Sequence, residues 1–233
     1  MNIFSCLLLV TFLTIPRVFA ASDAQMTSQG WIKENTKDGF DIFTRDEKNS
    51  DILGIKVEGV IDGPLENVLS ILRQVEGSEK WTPSLITKKT IKDISDIEAV
   101  TYSLNNMPWP IWDRELYLHN LLKIDKERKL IFVKSWSVHN DYPNYPRTKD
   151  TIIANVKYSN MGFRPVTDKK TYVELTVFID PQGHIPSWII NFYQKSWPVK
   201  YLKSIEKRSN GKVAPLAKGI KELVTELRAI LSK

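Results

Sequence analysis

The chain has 233 residues, of which 42% are hydrophobic and 26% are charged, and its formal net charge is +6. This composition is that of a globular protein with a sizeable core, and it excludes disordered and collagen-like chains. The basic residues occur as dispersed pairs, such as Lys88-Lys89, that alternate with acids, so the clustered basic stripe of a nucleic-acid-binding protein is missing and no nucleic-acid partner is expected.

The first 20 residues have the pattern of a secretory signal peptide. The run 3–15 is apolar and uncharged, and Val18 and Ala20 place small residues before a cut after Ala20. An uncleaved membrane anchor is the alternative, but it would need about 20 apolar residues. We therefore predict an exported protein, periplasmic or secreted. Its only cysteine, Cys6, lies in the signal peptide, so the mature chain forms no disulfide.

Short periodic segments separated by turn residues predict one domain over residues 21–210, without a linker or an internal repeat. The first predicted element is a helix that includes Trp31 and Ile32. A second helix follows Gly63-Pro64 and contains Val68, Leu69 and Leu72. The predicted strands are Asp41–Arg45, Ile52–Ile61, Leu85–Ile91, Ala99–Asn105, Trp112–Lys123, Leu130–Val138, Thr151–Tyr158 and Thr171–Ile179. Consecutive strands with short connections indicate an antiparallel sheet, hence an α+β fold.

A long helix is predicted after the turn at Asp180, with Pro186 in the first turn, where a helix tolerates proline. Large apolar side chains recur along it at helical spacing: Trp188, Ile189, Phe192, Tyr193, Trp197, Tyr201 and Leu202. Pro198 should kink or interrupt the helix. An aromatic face of this size needs an apolar surface opposite it, which is either a filled core or a cavity that holds a guest molecule.

Residues 211–233 form an additional C-terminal segment, in which an amphipathic helix is predicted over Val213–Leu231. Its apolar stripe includes Leu216, Ile220 and Leu227. Two interpretations remain open. The helix either packs on the domain or serves as an interfacial or dimerising element.

Signatures of catalysis are absent from the sequence. The three histidines are far apart, and there is no HExxH, GxSxG or CxxC motif and no glycine-rich phosphate loop. His119 lies among apolar residues of a predicted strand, where a hydrogen-bonded structural role competes with that of a base. We expect no enzyme, metal or cofactor. The alternative is a cyclase or hydrolase of a hydrophobic substrate, which would need a polar pair such as His119 and a nearby acid converging on a cavity.

The segment Met107–Trp112 is a proline-stiffened loop that carries Met107, Trp109, Ile111 and Trp112. Loops of soluble proteins are usually polar, and tryptophan is favoured at bilayer interfaces. Two interpretations are open. The loop caps the core beside a structural pair of Asp113 and Arg114, or it acts as a gate over an opening.

Together these segments resemble the START domain, the lipid-transfer family related to the steroidogenic acute regulatory protein. The resemblance covers about Trp31 to Arg208 and is consistent with an exported bacterial member. It rests on the order and spacing of several blocks: Trp81, Asp113-Arg114-Glu115, Asp141–Pro146, Asp180–Pro186 and Trp188–Asn191.

The resemblance implies a helix-grip fold, in which a curved antiparallel sheet wraps around a long C-terminal helix and leaves an internal tunnel for one lipid. Members of the family bind a sterol, a phospholipid or another hydrophobic molecule and perform no chemistry. The loop before Asp113 and the last helix of the domain are the elements that are thought to open. We therefore expect a monomer that binds one lipid and contacts membrane surfaces transiently.

Strand alternation indicates which side chains face the tunnel. The predicted lipid-binding wall consists of Thr101, Ser103, Leu116, Leu118, Asn120, Val133 and Ser135, and the predicted lid consists of Trp109, Ile111, Trp112, Trp188, Phe192 and Tyr193. The family often places a polar residue that meets the ligand's head group where Asn120 lies. Lys195 and Lys203 of the long helix either contact anionic head groups or form an ordinary solvated face.

Overall fold

The computed structural model describes residues 30–232, so the signal-peptide prediction lies outside the described residues. Ten strands form one sheet: β1 (Ile32–Lys37), β2 (Phe40–Glu47), β3 (Ser50–Asp62), β4 (Leu85–Ser95), β5 (Glu98–Asn105), β6 (Asp113–Asp125), β7 (Leu130–Ser137), β8 (Thr151–Ile153), β9 (Asn155–Thr167) and β10 (Lys170–Asp180). The helices are α1 (Leu65–Arg73), α2 (Ser187–Ser209) and α3 (Lys218–Leu231), with short 3-10 turns at Ser78–Lys80 and His139–Asp141.

The sheet has the order β1-β2-β3-β10-β9-β7-β6-β5-β4, and every pair along this path is antiparallel. The short β8 lies off the path and pairs with β6 in parallel. The sheet is curved, and α2 lies along β3. Asn191 fixes this contact, because its Oδ1 accepts from Leu53 N at 3.0 Å and its Nδ2 donates to Asp51 O at 3.1 Å. The predicted helix-grip fold is therefore confirmed.

The main core lies between the sheet and the three helices. Val199, Leu202 and Ile205 of α2 are at most 2% exposed, and they belong to one cluster with α1 and with the inner faces of β3, β9 and β10. On α3, Ile220, Val224 and Leu227 are also buried in this cluster. The interpretation that the C-terminal helix packs on the domain is therefore confirmed.

The predicted first helix at Trp31 is wrong, because this segment leads into strand β1. Asp38 and Gly39 both have positive φ angles, 52° and 83°, and they form the two-residue turn of a hairpin that pairs Lys37 with Phe40. Asp-Gly is a strong signal for such a turn.

The predicted strand Thr151–Tyr158 is in fact two strands. The chain pairs with β6 up to Ile153, and from Asn155 it pairs with β10 and then also with β7. Strand β9 continues to Thr167 through Gly162 and Pro165, residue types that are uncommon inside strands. Pro165 is tolerated beside a register shift opposite Thr171, and this exception is not visible in the sequence.

Two helix predictions also need correction. Helix α2 is continuous through Pro198, so the expected interruption does not occur. Helix α3 begins at Lys218 instead of Val213, because Pro215 disfavours a helical conformation of the residue before it. The extended segment before α3 is fixed by Ser70, whose hydroxyl donates to Ala214 O at 2.6 Å.

Candidate functional site

A cavity of about 230 Å³ lies between the sheet, the three helices and the turn that follows α1. Most of its wall is apolar, with leucines, isoleucines and valines from five strands and from α1. Leu118, Leu122 and Val133 of β6 and β7 face Leu175 and Val177 of β10 across the curved sheet. Part of the interior is therefore a partly open cavity, whereas Leu202 and Ile205 are completely buried.

All residues of the predicted wall line this cavity: Thr101, Ser103, Leu116, Leu118, Asn120, Val133 and Ser135. The register explains this arrangement. Thr101 is opposite Leu118, and Asn120 is opposite Ser135, so these side chains share one face of the sheet. That they contact a lipid remains a prediction.

Asn120 is the centre of a hydrogen-bonded row across three strands. Its Nδ2 donates to Thr101 Oγ1 at 3.0 Å, and its Oδ1 accepts from Ser135 Oγ at 2.8 Å. The same Nδ2 also lies 3.0 Å from Leu118 O. The amide therefore already has partners in the protein. Any contact between Asn120 and a ligand's head group would have to share or replace one of them.

The predicted lid is not assembled over the cavity in this structure. Trp109, Trp112, Trp188 and Phe192 are 93%, 56%, 71% and 75% exposed, and neither they nor Ile111 and Tyr193 line the wall. Tyr193 is partly buried, and its hydroxyl donates to Ser84 Oγ at 2.9 Å. The sequence pattern placed all aromatic residues of the long helix on one face, but they occupy two.

The side chains of α2 that do line the cavity are Trp197 and Tyr201. At 100° per residue, Trp197 is rotated by about 140° from Phe192 around the helix axis. Tyr201 stacks on Trp197 with ring centroids 4.9 Å apart and lies parallel to Trp81 at 6.2 Å. Trp197 also donates from Nε1 to Pro83 O at 3.1 Å, which fixes α2 to the segment before β4.

Asp113 and Arg114 both fix the loop between β5 and β6, but they do not pair with each other. Asp113 Oδ1 accepts from Met107 N at 2.9 Å. The buried guanidinium of Arg114 donates to the carbonyl oxygens of Trp112, Pro181 and Gln182. These bonds hold the loop next to the turn that precedes α2. The exposed aromatic residues of the loop and of the start of α2 therefore belong to neighbouring elements.

Lys88 of β4 also lines the cavity, and the sequence analysis did not identify it. Burial lowers the pKa of its ammonium. Strict alternation along β4 would place Lys88 on the face opposite to Leu85, and therefore predicts no lysine beside Leu85 at the cavity. Its neighbours Lys89 and Thr90 are exposed.

His119 has an acidic neighbour, Glu98, which lines the cavity, whereas His119 itself does not. His119 Nε2 lies 2.6 Å from Glu98 Oε1, and the imidazole stacks on Trp136 at 4.3 Å. The ring is on the outer face of β6, opposite to Leu118 and Asn120, which supports its structural interpretation. In the described part of the chain, no three His, Cys, Asp or Glu residues form a group that could hold a metal ion.

Of the lysines considered for lipid head groups, Lys195 pairs with Glu34 at 3.1 Å and Lys203 with Glu206 at 2.8 Å. These ion pairs are those of an ordinary partly solvated helix face. None of the helices within residues 30–232 is long and apolar enough to cross a membrane.

Comparison with known proteins identifies relatives along most of the chain. The family model of the START domain matches residues 20–213. An uncharacterized protein of Pseudomonas aeruginosa is 23% identical over 178 residues, which are 76% of this chain and 86% of the relative. Mouse phosphatidylcholine transfer protein is 24% identical over 187 residues, which are 78% of this chain and 85% of the relative.

Solved structures share the fold at similarly low identity. Human STARD10 superimposes with a TM-score of 0.69 at 20% identity, covering 78% of this chain and 74% of that chain. A STAR-related lipid transfer protein from Xanthomonas axonopodis superimposes with a TM-score of 0.67 at 22% identity, covering 78% of this chain and 99% of that chain.

Proposed function

Because the chain belongs to the START domain family, we propose that it binds one lipid in the cavity and transfers or senses that lipid without changing it chemically. The observation that carries the proposal is the largely apolar cavity between the sheet and the helices. Each lipid methylene group that leaves water for such a space contributes about 0.8 kcal/mol. The relatives include a mouse phosphatidylcholine transfer protein, which agrees with this class of function.

The size of the cavity favours a lipid with a single hydrophobic body. Its volume of about 230 Å³ is slightly below the roughly 300–1,000 Å³ typical of ligand sites. A single chain or a compact ring system suits this space. A two-chain phospholipid would require the walls to move apart.

We further propose that the lipid enters and leaves while the protein touches a membrane. Trp109 and Trp112 of the loop and Trp188 and Phe192 of α2 are exposed, and Arg114 holds the two elements together. Tryptophan prefers the boundary between lipid and water. Insertion of these side chains would pull the loop away from α2 at the end of the cavity near Leu85 and Asn105.

The site of action that we propose is outside the cytoplasm. The support is the signal-peptide pattern of residues 1–20. Expression of the whole chain in a bacterial host, followed by fractionation and intact-mass measurement, should yield a periplasmic protein that begins at Ala21. An uncleaved chain in the cytoplasm would contradict this part of the proposal.

Transfer of a fluorescent single-chain lipid or sterol between donor and acceptor vesicles tests the main proposal. The wild-type protein should accelerate transfer, and Leu118→Trp, which fills the cavity, should remove most of the acceleration. Lys123→Trp is the matched control, because Lys123 lies on the same strand but is exposed. Equal transfer by wild type and a folded Leu118→Trp variant would show that the cavity is not the binding site.

A further inference from the structure

Lys88 places an unpaired cation at the cavity. Lys88 is partly buried and is one of the residues that line the cavity, and desolvation lowers the pKa of its ammonium. Within residues 30–232 it has neither a hydrogen-bond partner nor an ion-pair partner. A buried charge is costly unless it is paired, because it loses its hydration without compensation.

A β-bulge turns Lys88 toward the cavity. Leu85 pairs with Asn105, and Lys88 pairs with Ser103, so four residues of β4 match three residues of β5. The register shift between Leu85 and Thr87 puts both Leu85 and Lys88 on the cavity side, although simple alternation would separate them. Bulges commonly redirect a side chain next to a functional site.

The other charged side chains of the cavity wall are already paired. Arg73 Nη2 contacts Asp93 Oδ1 at 2.6 Å, and Glu98 contacts His119. The remaining acid of the wall, Asp96, accepts from Gly219 N at 2.8 Å. No acidic side chain among the described residues is therefore placed to neutralise Lys88.

Neutral hydrogen-bonding groups accompany the ammonium at the wall. The Ser103 side chain is directly across from Lys88, and Asn105 Nδ2 donates to Ser103 Oγ at 3.1 Å. Tyr201 borders the same cavity, and its hydroxyl has no hydrogen bond within residues 30–232. Burial raises the pKa of Tyr201 to about 12, so this hydroxyl keeps its proton at neutral pH and can donate a hydrogen bond to an anion.

We propose that Lys88 binds the acidic head group of the lipid, so that the cavity selects a lipid with one carboxylate or phosphate group over its neutral analogues. This inference rests on the proposed function and adds the charge of the ligand to it. The anion supplies the counter-ion that the protein lacks, and the apolar wall holds the attached chain. Asn120, whose amide already has partners, is not the main polar contact.

Binding titrations with matched probes test this inference. The probes are a fluorescent long-chain fatty acid, the corresponding alcohol, and a lysophosphatidic acid of the same chain length used as a competitor. Wild type should bind at least one of the two acids more tightly than the alcohol. Lys88→Met should weaken binding of that acid by about 10- to 100-fold, as expected for a lost charged hydrogen bond. Binding of the alcohol should stay within about twofold.

Two variants control the comparison. Lys89→Met removes the neighbouring exposed lysine of the same strand. It should change neither the affinity for the acid nor the affinity for the alcohol. Lys88→Arg keeps the positive charge and should retain the preference for the acid. The acid that binds more tightly distinguishes a carboxylate from a phosphate lipid as the source of the anion.

The possible outcomes separate this inference from the proposed function. If wild type binds the alcohol as tightly as both acids, or Lys88→Met retains the preference for the acid, the role of Lys88 is contradicted while lipid binding stands. If wild type binds none of the probes, the proposed function fails and the inference fails with it.

Discussion

At the scale of single residues, the partly buried Lys88 and the fully buried Glu115 are two ionisable groups with opposite surroundings. The ammonium of Lys88 faces the cavity without a partner among the described residues. The carboxylate of Glu115 lies on the other side of the sheet, fully buried, and accepts hydrogen bonds from Tyr117, Thr148 and Thr151. We therefore assign ligand binding to the first and fold stability to the second.

Lys88→Met should stabilise the ligand-free protein by on the order of 1 kcal/mol, because it removes an unpaired ammonium that is partly withdrawn from water. For a protein of this size that is a rise in Tm of about 2–4 °C. Thermal melting of delipidated protein measures this rise in Tm, and Lys89→Met is the control. An unchanged or lower Tm of Lys88→Met would show that the ammonium is well solvated.

The same lysine predicts a pH dependence. Its pKa is lowered in the folded state from 10.5, so between the two pKa values the unfolded chain binds more protons than the folded one. The contribution of Lys88 to the free energy of unfolding must then rise with pH between its folded-state pKa and 10.5. The difference in Tm between Lys88→Met and wild type should therefore shrink as the pH rises toward 10.5, and the contribution of Tyr201 cancels in this difference. A constant difference would contradict the buried charge.

Glu115→Gln should destabilise the fold by about 1–3 kcal/mol, because the amide cannot accept all the hydrogen bonds that the carboxylate accepts. Glu115 Oε1 lies 2.8 Å from Thr148 N and 2.6 Å from Thr151 Oγ1, so it ties the segment after β7 to the sheet. Chemical denaturation measures the decrease in the free energy of unfolding. Glu127→Gln, at an exposed position, is the control. Equal stability of the two variants would refute this role.

At the scale of elements, the loop between β5 and β6 and the start of α2 combine firm anchoring with exposed aromatic residues. Arg114 and Asp113 supply the anchors through backbone contacts, and Tyr193 adds a link from α2 to Ser84. Trp109 contributes little to the fold because it is 93% exposed. This combination suits a surface that meets a membrane without weakening the domain.

Trp109→Ala or Trp112→Ala should slow lipid exchange between vesicles more than it lowers Tm. The physical reason is that these side chains lose favourable contact with the bilayer interface, whereas their removal opens no space in the core. Val166→Ala, at another exposed apolar position, is the control. Unchanged exchange together with a lower Tm would mean that the tryptophans only support the loop.

The sequence predicted the elements and the cavity wall better than the details that depend on turns and bulges. Alternation along β5, β6 and β7 placed Thr101, Leu118 and Ser135 on one face, because regular strands follow a period of two. Lys88 escaped detection because the bulge before Thr87 shifts that period. Trp197 and Tyr201 were not distinguished from the other aromatic residues of α2, because helical spacing alone does not tell which side of a two-sided aromatic helix faces the cavity.

At the scale of the whole molecule, the residues that line the cavity come from elements that are distant along the chain. Strands β4–β7 form one side, α2 adds Trp197 and Tyr201, and α3 adds Ile220. Helix α3 follows the segment that the START family model matches, which ends at residue 213. The C-terminal segment is thus part of the wall of the site, as well as of the core.

Native mass spectrometry of the purified protein, followed by organic extraction and lipid analysis, tests the central claim most directly. The account predicts a monomer with one additional small molecule, and extraction should release one lipid with an acidic group per chain. Leu118→Trp should purify without it. A wild-type protein that carries no lipid, and takes up none when mixed with membrane lipid extracts, would contradict the claim that the cavity is a lipid-binding site.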